Sequence, residues 1–161
     1  MLVKRFLVPS DYSAAETWRL LEWCKRLGAD EFTIDSFGAE SGKPGAASGW
    51  FATAARPHAR ETGIRERMSG KTADALTRAT ELWDLNDATV RVLQEALLGG
   101  LFQYEPREGG WFEDPIFYRD GQLMLGILSH EAFAVLRVSD RESAQLAAAG
   151  LASHESLPRI G

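Results

Sequence analysis

The sequence predicts an α+β fold: an antiparallel or mixed β-sheet that ends in a C-terminal β-meander, with helices packed mainly on one face. Three observations predict it. Short apolar segments typical of strands lie near both ends of the chain, amphipathic segments with helix caps lie between them, and an Asp-Gly pair separates two apolar runs. One domain commonly has about this length, so we treat residues 1–161 as a single domain.

The N-terminal elements are a strand, a helix and a second strand. Residues 2–9 are rich in β-forming side chains and end at a proline. Ser13 and Glu16 then have the spacing of a capping box, which predicts a helix that Gly28 ends. Residues 31–37 alternate apolar and polar side chains, as the second strand should.

The middle of the chain predicts a loop and two further helices. Residues 38–49 are rich in glycine, serine and alanine, and we expect a flexible loop within the domain. Residues 73–83 carry an apolar stripe with helical spacing. A last helix of this region should begin at a cap on Asn86 or Asp87 and end at Gly99-Gly100.

The C-terminal third predicts the meander and a closing helix. Asp120-Gly121 is the strongest hairpin signal in the chain, because both turn residues need a positive φ. Residues 132–139 can return as a third strand, residues 139–149 predict a helix, and residues 100–105 can add another strand.

The hairpin also predicts which side chains share a face of the sheet. A two-residue turn pairs Tyr118 with Leu123 and Phe117 with Met124. One face is then the core: Ile116, Tyr118, Leu123, Leu125, Ile127, Ala134, Leu136 and Val138. The other is mixed: Phe117, Met124, Leu128, Phe133 and Val135, with Arg119, Gln122 and Arg137 around Gly126. Either a helix with carboxylates covers the mixed face, or a partner does. Pro115 predicts that its strand is an edge or bulged.

The preferred function is a small non-catalytic binding module that engages a protein partner or a second copy of itself. Trp18 lies off the apolar stripe of its helix, and tryptophan is enriched in interfaces. The predicted contact residues are Trp18, Phe117, Arg119, Met124 and Arg137. With three histidines, one cysteine and no ligand spacing, the sequence predicts neither a metal site nor a cofactor.

The alternative is a small hydrolase or acid–base enzyme. Ser129, His130 and Glu131 follow a predicted strand, and the register puts Asp114 on the same face as Ser129. A nucleophile, a base and an orienting carboxylate can be assembled from these four residues.

The charge and composition of the chain limit which other partners and which cellular compartment we expect. A net charge of −5 opposes binding to nucleic acid, although residues 56–71 are locally basic. No apolar run is long enough to cross a membrane, and no signal peptide is recognisable at the start. The lone Cys24 allows no internal disulfide, so we expect a cytoplasmic protein.

Overall fold

The structure, a computed structural model, describes residues 1–37, 46–69, 74–106 and 109–156. In these ranges the helices and strands follow one another along the chain. They are β1 (Val3–Leu7), α1 (Ala14–Arg26), β2 (Glu31–Phe37), α2 (Ala46–Ala55), β3 (Gly63–Ser69), β4 (Asp74–Thr80), β5 (Trp83–Asp84), α3 (Asp87–Ala96), β6 (Trp111–Arg119), β7 (Gln122–Leu128), β8 (Phe133–Val138) and α4 (Asp140–Ala148).

The strands form an antiparallel sheet in the order β1-β8-β7-β6-β2-β5, with β3 and β4 as a separate hairpin. Side chains from all four helices pack against one face of this sheet, and together they form the main hydrophobic core. The predicted α+β class, the C-terminal meander and the packing of helices mainly on one face are confirmed. In the part of the chain described, no helix combines the length and apolar character needed to cross a membrane.

The predicted helix caps are confirmed at α1 and α3, and α4 also begins with a capping box. At α1 the Glu16 amide donates to Ser13 Oγ at 3.2 Å, and the Ser13 amide donates to the Glu16 carboxylate at 2.7 Å. Asn86 makes the same reciprocal bonds with Thr89 at α3, as does Ser139 with its N3 glutamate at α4. Gly28 follows α1 with a φ of 98°, the left-handed conformation expected there.

Two predicted elements are wrong. Residues 74–80 form a strand, because 63–69 offer a complete antiparallel partner and an isolated helix of about 11 residues is marginal. Residues 100–105 do not pair as a strand: Leu101 is buried, and its amide donates to Thr17 Oγ1 on α1. Of the predicted loop, residues 38–45 lie outside the described residues, and α2 already begins at Ala46.

The Asp120-Gly121 turn is confirmed, but the faces derived from it are only partly right. Both turn residues have positive φ, and Tyr118 pairs with Leu123. A register shift follows, so that Phe117 pairs with Leu125 and one extra β7 residue is accommodated. Phe117 and Met124 therefore point into the helix-side core, whereas the predicted core residues Ile116, Tyr118 and Leu123 lie in the cluster that packs on Met68.

The second face of the sheet is covered by the β3–β4 hairpin rather than by a helix. Met68 packs against both apolar clusters of this face, which include Leu128, Phe133 and Val135 as predicted. Gly126 makes the close approach possible, since a Cβ at this position would lie 2.2 Å from Met68 Sδ. Met68 of the hairpin therefore fills the space above Gly126.

Ion pairs join β3 and the segment before it to strand β2. Arg60 Nη1 donates to Glu31 Oε2 at 2.7 Å, and Arg65 also binds this buried carboxylate. Arg67 donates to both oxygens of Asp35 at 2.8 Å. Three arginines of the locally basic stretch are therefore paired with neighbouring carboxylates, so less positive charge is available to bind phosphate groups.

Candidate functional site

The structure does not bring the predicted partner-binding residues together on one surface. Phe117 and Met124 are 0% and 1% exposed, because the register shift turns both into the core. Arg119 Nη1 donates to Glu142 Oε1 on α4 at 2.6 Å, and Arg137 pairs with Glu66 on β3. Trp18 packs partly buried against the core and lines a groove of about 410 Å³ beside Arg19 and Leu151. The four strand residues therefore have structural partners.

A β-bulge in β6 gathers a polar group next to the turn between β7 and β8. Asp35 pairs with Glu113 and Thr33 with Ile116, so two β6 residues stand opposite one residue of β2. The two residues are Asp114, which has a φ of 55°, and Pro115, which cannot donate to the ladder. The predicted bulge is confirmed, although β6 is an interior strand rather than an edge. The bulge interrupts the side-chain alternation, so neighbouring carboxylates can face the same way.

His130 lies over these carboxylates in the short 3-10 turn Ser129–Glu131. Its Nδ1 is 3.7 Å from Glu113 Oε2 and 3.9 Å from Asp114 Oδ2, and its Nε2 is 3.8 Å from Glu131 Oε1. The imidazole is 46% exposed, while the Glu113 side chain is only 9% exposed. The histidine is thus the solvent-facing member of a largely buried acidic group, which we call the carboxylate–histidine group (Glu113, Asp114 and His130).

Ser129 holds Asp114 in place. The Ser129 amide donates to Asp114 Oδ1 at 2.6 Å, and the Asp114 amide donates to Ser129 Oγ at 3.0 Å. Both residues are buried. These bonds place the two residues in direct contact, although the sheet register from which the sequence predicted a shared face is shifted. They leave Asp114 Oδ2 as the oxygen that faces His130.

Glu113 carries an unsatisfied oxygen into this group. Its Oε2 is buried and has no hydrogen-bond partner among the described residues, and the same is true of Glu131 Oε2. Burial raises the pKa of the Glu113 carboxyl, and the adjacent Asp114 raises it further. Burial likewise raises the pKa of Asp114, against the hydrogen bond from Ser129. Between the unfolded and folded pKa values the folded state binds more protons, so these groups lower stability as the pH rises.

A small aromatic cleft lies beside the carboxylate–histidine group. It has a volume of about 120 Å³ and is lined by Trp50 of α2, Leu98 after α3, Tyr104 and Trp111, with Glu95 and Glu105 among the remaining lining residues. Leu98 is 64% exposed, and Trp50 and Tyr104 are also exposed. The Tyr104 ring contacts the His130 ring edge-on at a centroid distance of 6.2 Å. One aromatic side chain therefore borders both features.

Sequence reasoning found part of these two features and missed the rest. Asp114, Ser129, His130 and Glu131 are brought together as predicted, but the most buried carboxylate, Glu113, was not singled out. Its signal was an adjacent Glu-Asp pair before a proline within an apolar strand. The cleft residues come from separate segments, and no local pattern connects Trp50 with Tyr104.

Comparisons with known proteins leave the residues themselves as the basis for assigning function. No family model matches the chain, and no curated protein or solved structure matches it either.

Proposed function

We propose that the chain is a binding module whose partner inserts an apolar side chain into the aromatic cleft. The observation that carries the proposal is the exposure of Trp50, Leu98 and Tyr104 around one concavity. Exposed apolar side chains grouped around a pocket are typical of interaction sites, and tryptophan and tyrosine are the residues on which binding energy concentrates.

The cleft favours a particular kind of partner. A volume of about 120 Å³ has room for one side chain rather than for a helix. Glu95 is among the lining residues, and the whole chain carries a net charge of −5. The partner we propose is therefore a protein segment with an apolar anchor flanked by lysine or arginine. The cytoplasm is the proposed location, in keeping with a single buried cysteine.

Two tryptophans provide a matched test of this surface. The immobilised protein should capture a partner from an extract of its host, and Trp50→Ala should weaken that interaction by about 30-fold once it is measured with the purified partner. Trp18→Ala, in the groove on α1, should leave the affinity unchanged. The proposal is contradicted if nothing is captured above background, or if Trp50→Ala binds as well as the parent chain.

Acid–base chemistry at the carboxylate–histidine group is a second candidate. It is favoured by a half-exposed imidazole whose Nδ1 faces two carboxylates, because such partners orient the ring. His130 Nε2 is then the atom that takes a proton from water or from a substrate. Ser129 has a supporting role in this scheme, since its hydroxyl accepts a bond from the Asp114 amide.

Hydrolysis of p-nitrophenyl acetate in the presence of a chelator tests this second candidate. His130→Gln should lower the rate above buffer by about 100-fold, the size typical of a lost general base. His154→Gln is the matched control, because His154 also contacts a carboxylate, Asp11, at 3.0 Å and lies outside the group. A rate that is equal in both variants, or no rate above buffer in the parent chain, counts against catalysis here.

A further inference from the structure

We propose that Glu113, Asp114 and His130 bind a divalent first-row transition-metal ion of the class of Zn²⁺ and Mn²⁺. The inference goes beyond the partner-binding proposal and does not depend on it. The sequence predicted no metal because none of the usual ligand spacings occurs. The site arises instead from a bulge in one strand and a turn that follows the next strand.

The distances in the group fit ligands better than they fit hydrogen bonds. One donor atom from each of the three residues lies within 4.8 Å of the others. The separations of 3.7 and 3.9 Å from His130 Nδ1 are too long for a hydrogen bond. Around an ion with bonds of about 2.1 Å, tetrahedral ligand atoms lie about 3.4 Å apart. The two separations from His130 Nδ1 exceed this spacing by only about 0.3 and 0.5 Å.

The buried Glu113 oxygen is an independent indication of a cation. Oε2 of Glu113 is sealed from solvent, points at His130 and has no hydrogen-bond partner among the described residues. Buried polar groups are nearly always satisfied, so an orphaned carboxylate oxygen calls for an explanation. A bound cation supplies one, since it compensates the charge that burial would otherwise penalise.

The surroundings already resemble the outer shell of a metal centre. The Ser129 amide holds Asp114 Oδ1 and leaves Oδ2 to coordinate. Glu131 Oε1 lies 3.8 Å from His130 Nε2, so a further carboxylate flanks the ring on the side away from Nδ1, beyond hydrogen-bonding distance. Two carboxylates and one imidazole suit zinc or manganese, and three protein ligands leave positions open for water.

Titration calorimetry of the full chain with ZnCl₂ and with MnCl₂ is the direct test. We expect one ion per chain, and at least 100-fold weaker binding in Glu113→Gln and in Asp114→Asn. Asparagine tolerates the left-handed backbone at position 114, so this variant should still fold. His154→Gln should bind as the parent chain does. Mn²⁺ should also broaden the NMR signals of the His130 ring before those of the His154 ring.

The inference is overturned if the parent chain binds neither ion, or if binding survives Glu113→Gln and Asp114→Asn. It is also overturned if His154→Gln abolishes binding, which would indicate a surface site. None of these outcomes bears on partner capture through Trp50. A chain that binds no metal but hydrolyses the ester in chelator would retain acid–base chemistry without the ion.

Discussion

Replacing Asp35 with alanine is expected to lower the free energy of unfolding by about 3–5 kcal/mol. Asp35 binds Arg67 through both of its oxygens at 2.8 Å, and Arg67 is only 7% exposed. The variant leaves the guanidinium buried with hydrogen bonds to Thr33 and Thr80 but without its counter-charge. The cost is large because a lone buried charge loses its hydration and gains no partner. Urea unfolding followed by tryptophan fluorescence measures it.

A double variant shows whether the unpaired charge of Arg67 causes the loss of stability. In the double variant Asp35→Ala, Arg67→Met the unpaired cation is gone, and most of the lost stability should return. Lys25→Met is the surface control: Lys25 pairs with the exposed Asp87 at 2.6 Å, and its loss should cost less than about 1 kcal/mol. If the double variant is no more stable than Asp35→Ala, the buried charge is not the source of the loss.

Phe117→Ala is expected to cost about 3–5 kcal/mol, as truncation of a core aromatic residue does. The prediction separates the observed sheet register from the one that the turn alone predicts. In the observed register Phe117 is fully buried, pairs with Leu125 and lies 6.0 Å from the ring of Phe32. In the predicted register it would face a partner, and its truncation would change stability little. Chemical unfolding of the isolated chain measures the difference.

Phe37→Ala is the matched control for Phe117→Ala. Phe37 lies in β2, is exposed, and stacks on Trp111 at a centroid distance of 5.6 Å. Its replacement by alanine should cost only about 1 kcal/mol, the size of one aromatic contact. Equal losses in Phe37→Ala and Phe117→Ala would contradict the assignment of Phe117 to the core.

Much of the fold could be predicted because its signals are local. The capping boxes at Ser13 and Asn86 act within four residues, and the Asp120-Gly121 turn requires only its own backbone conformation. The register shift beside Met124 could not be predicted, because an extra residue in a strand leaves no mark in the apolar pattern. Residues 74–80 were misassigned for a related reason: pairing with 63–69 overrides a helical spacing of apolar residues.

The part of the site that consecutive residues form was predicted from the sequence. The part that folding brings together from separate strands was missed. Ser129, His130 and Glu131 are consecutive, so their common turn was visible in the sequence. Glu113 joins them only because the bulge at Asp114 interrupts the alternation of β6. That geometry depends on a strand, a bulge and a turn together, so no single spacing of residues in the sequence predicts it.

The attachment of the β3–β4 hairpin to Glu31 is sensitive to acid. Burial favours protonation of Glu31, but Arg65 and Arg60 outweigh burial and leave its pKa below the ordinary value. The stabilisation from this carboxylate is therefore complete above the unfolded pKa and disappears as the pH falls through the folded one. Without the Glu31 pairs, the hairpin is held by Met68, by the hydrogen bond from Arg67 to Thr33 and by the bond from the Tyr118 hydroxyl to the Glu66 carbonyl. Partial opening there would expose the β7 backbone at Gly126 to proteases and to neighbouring chains.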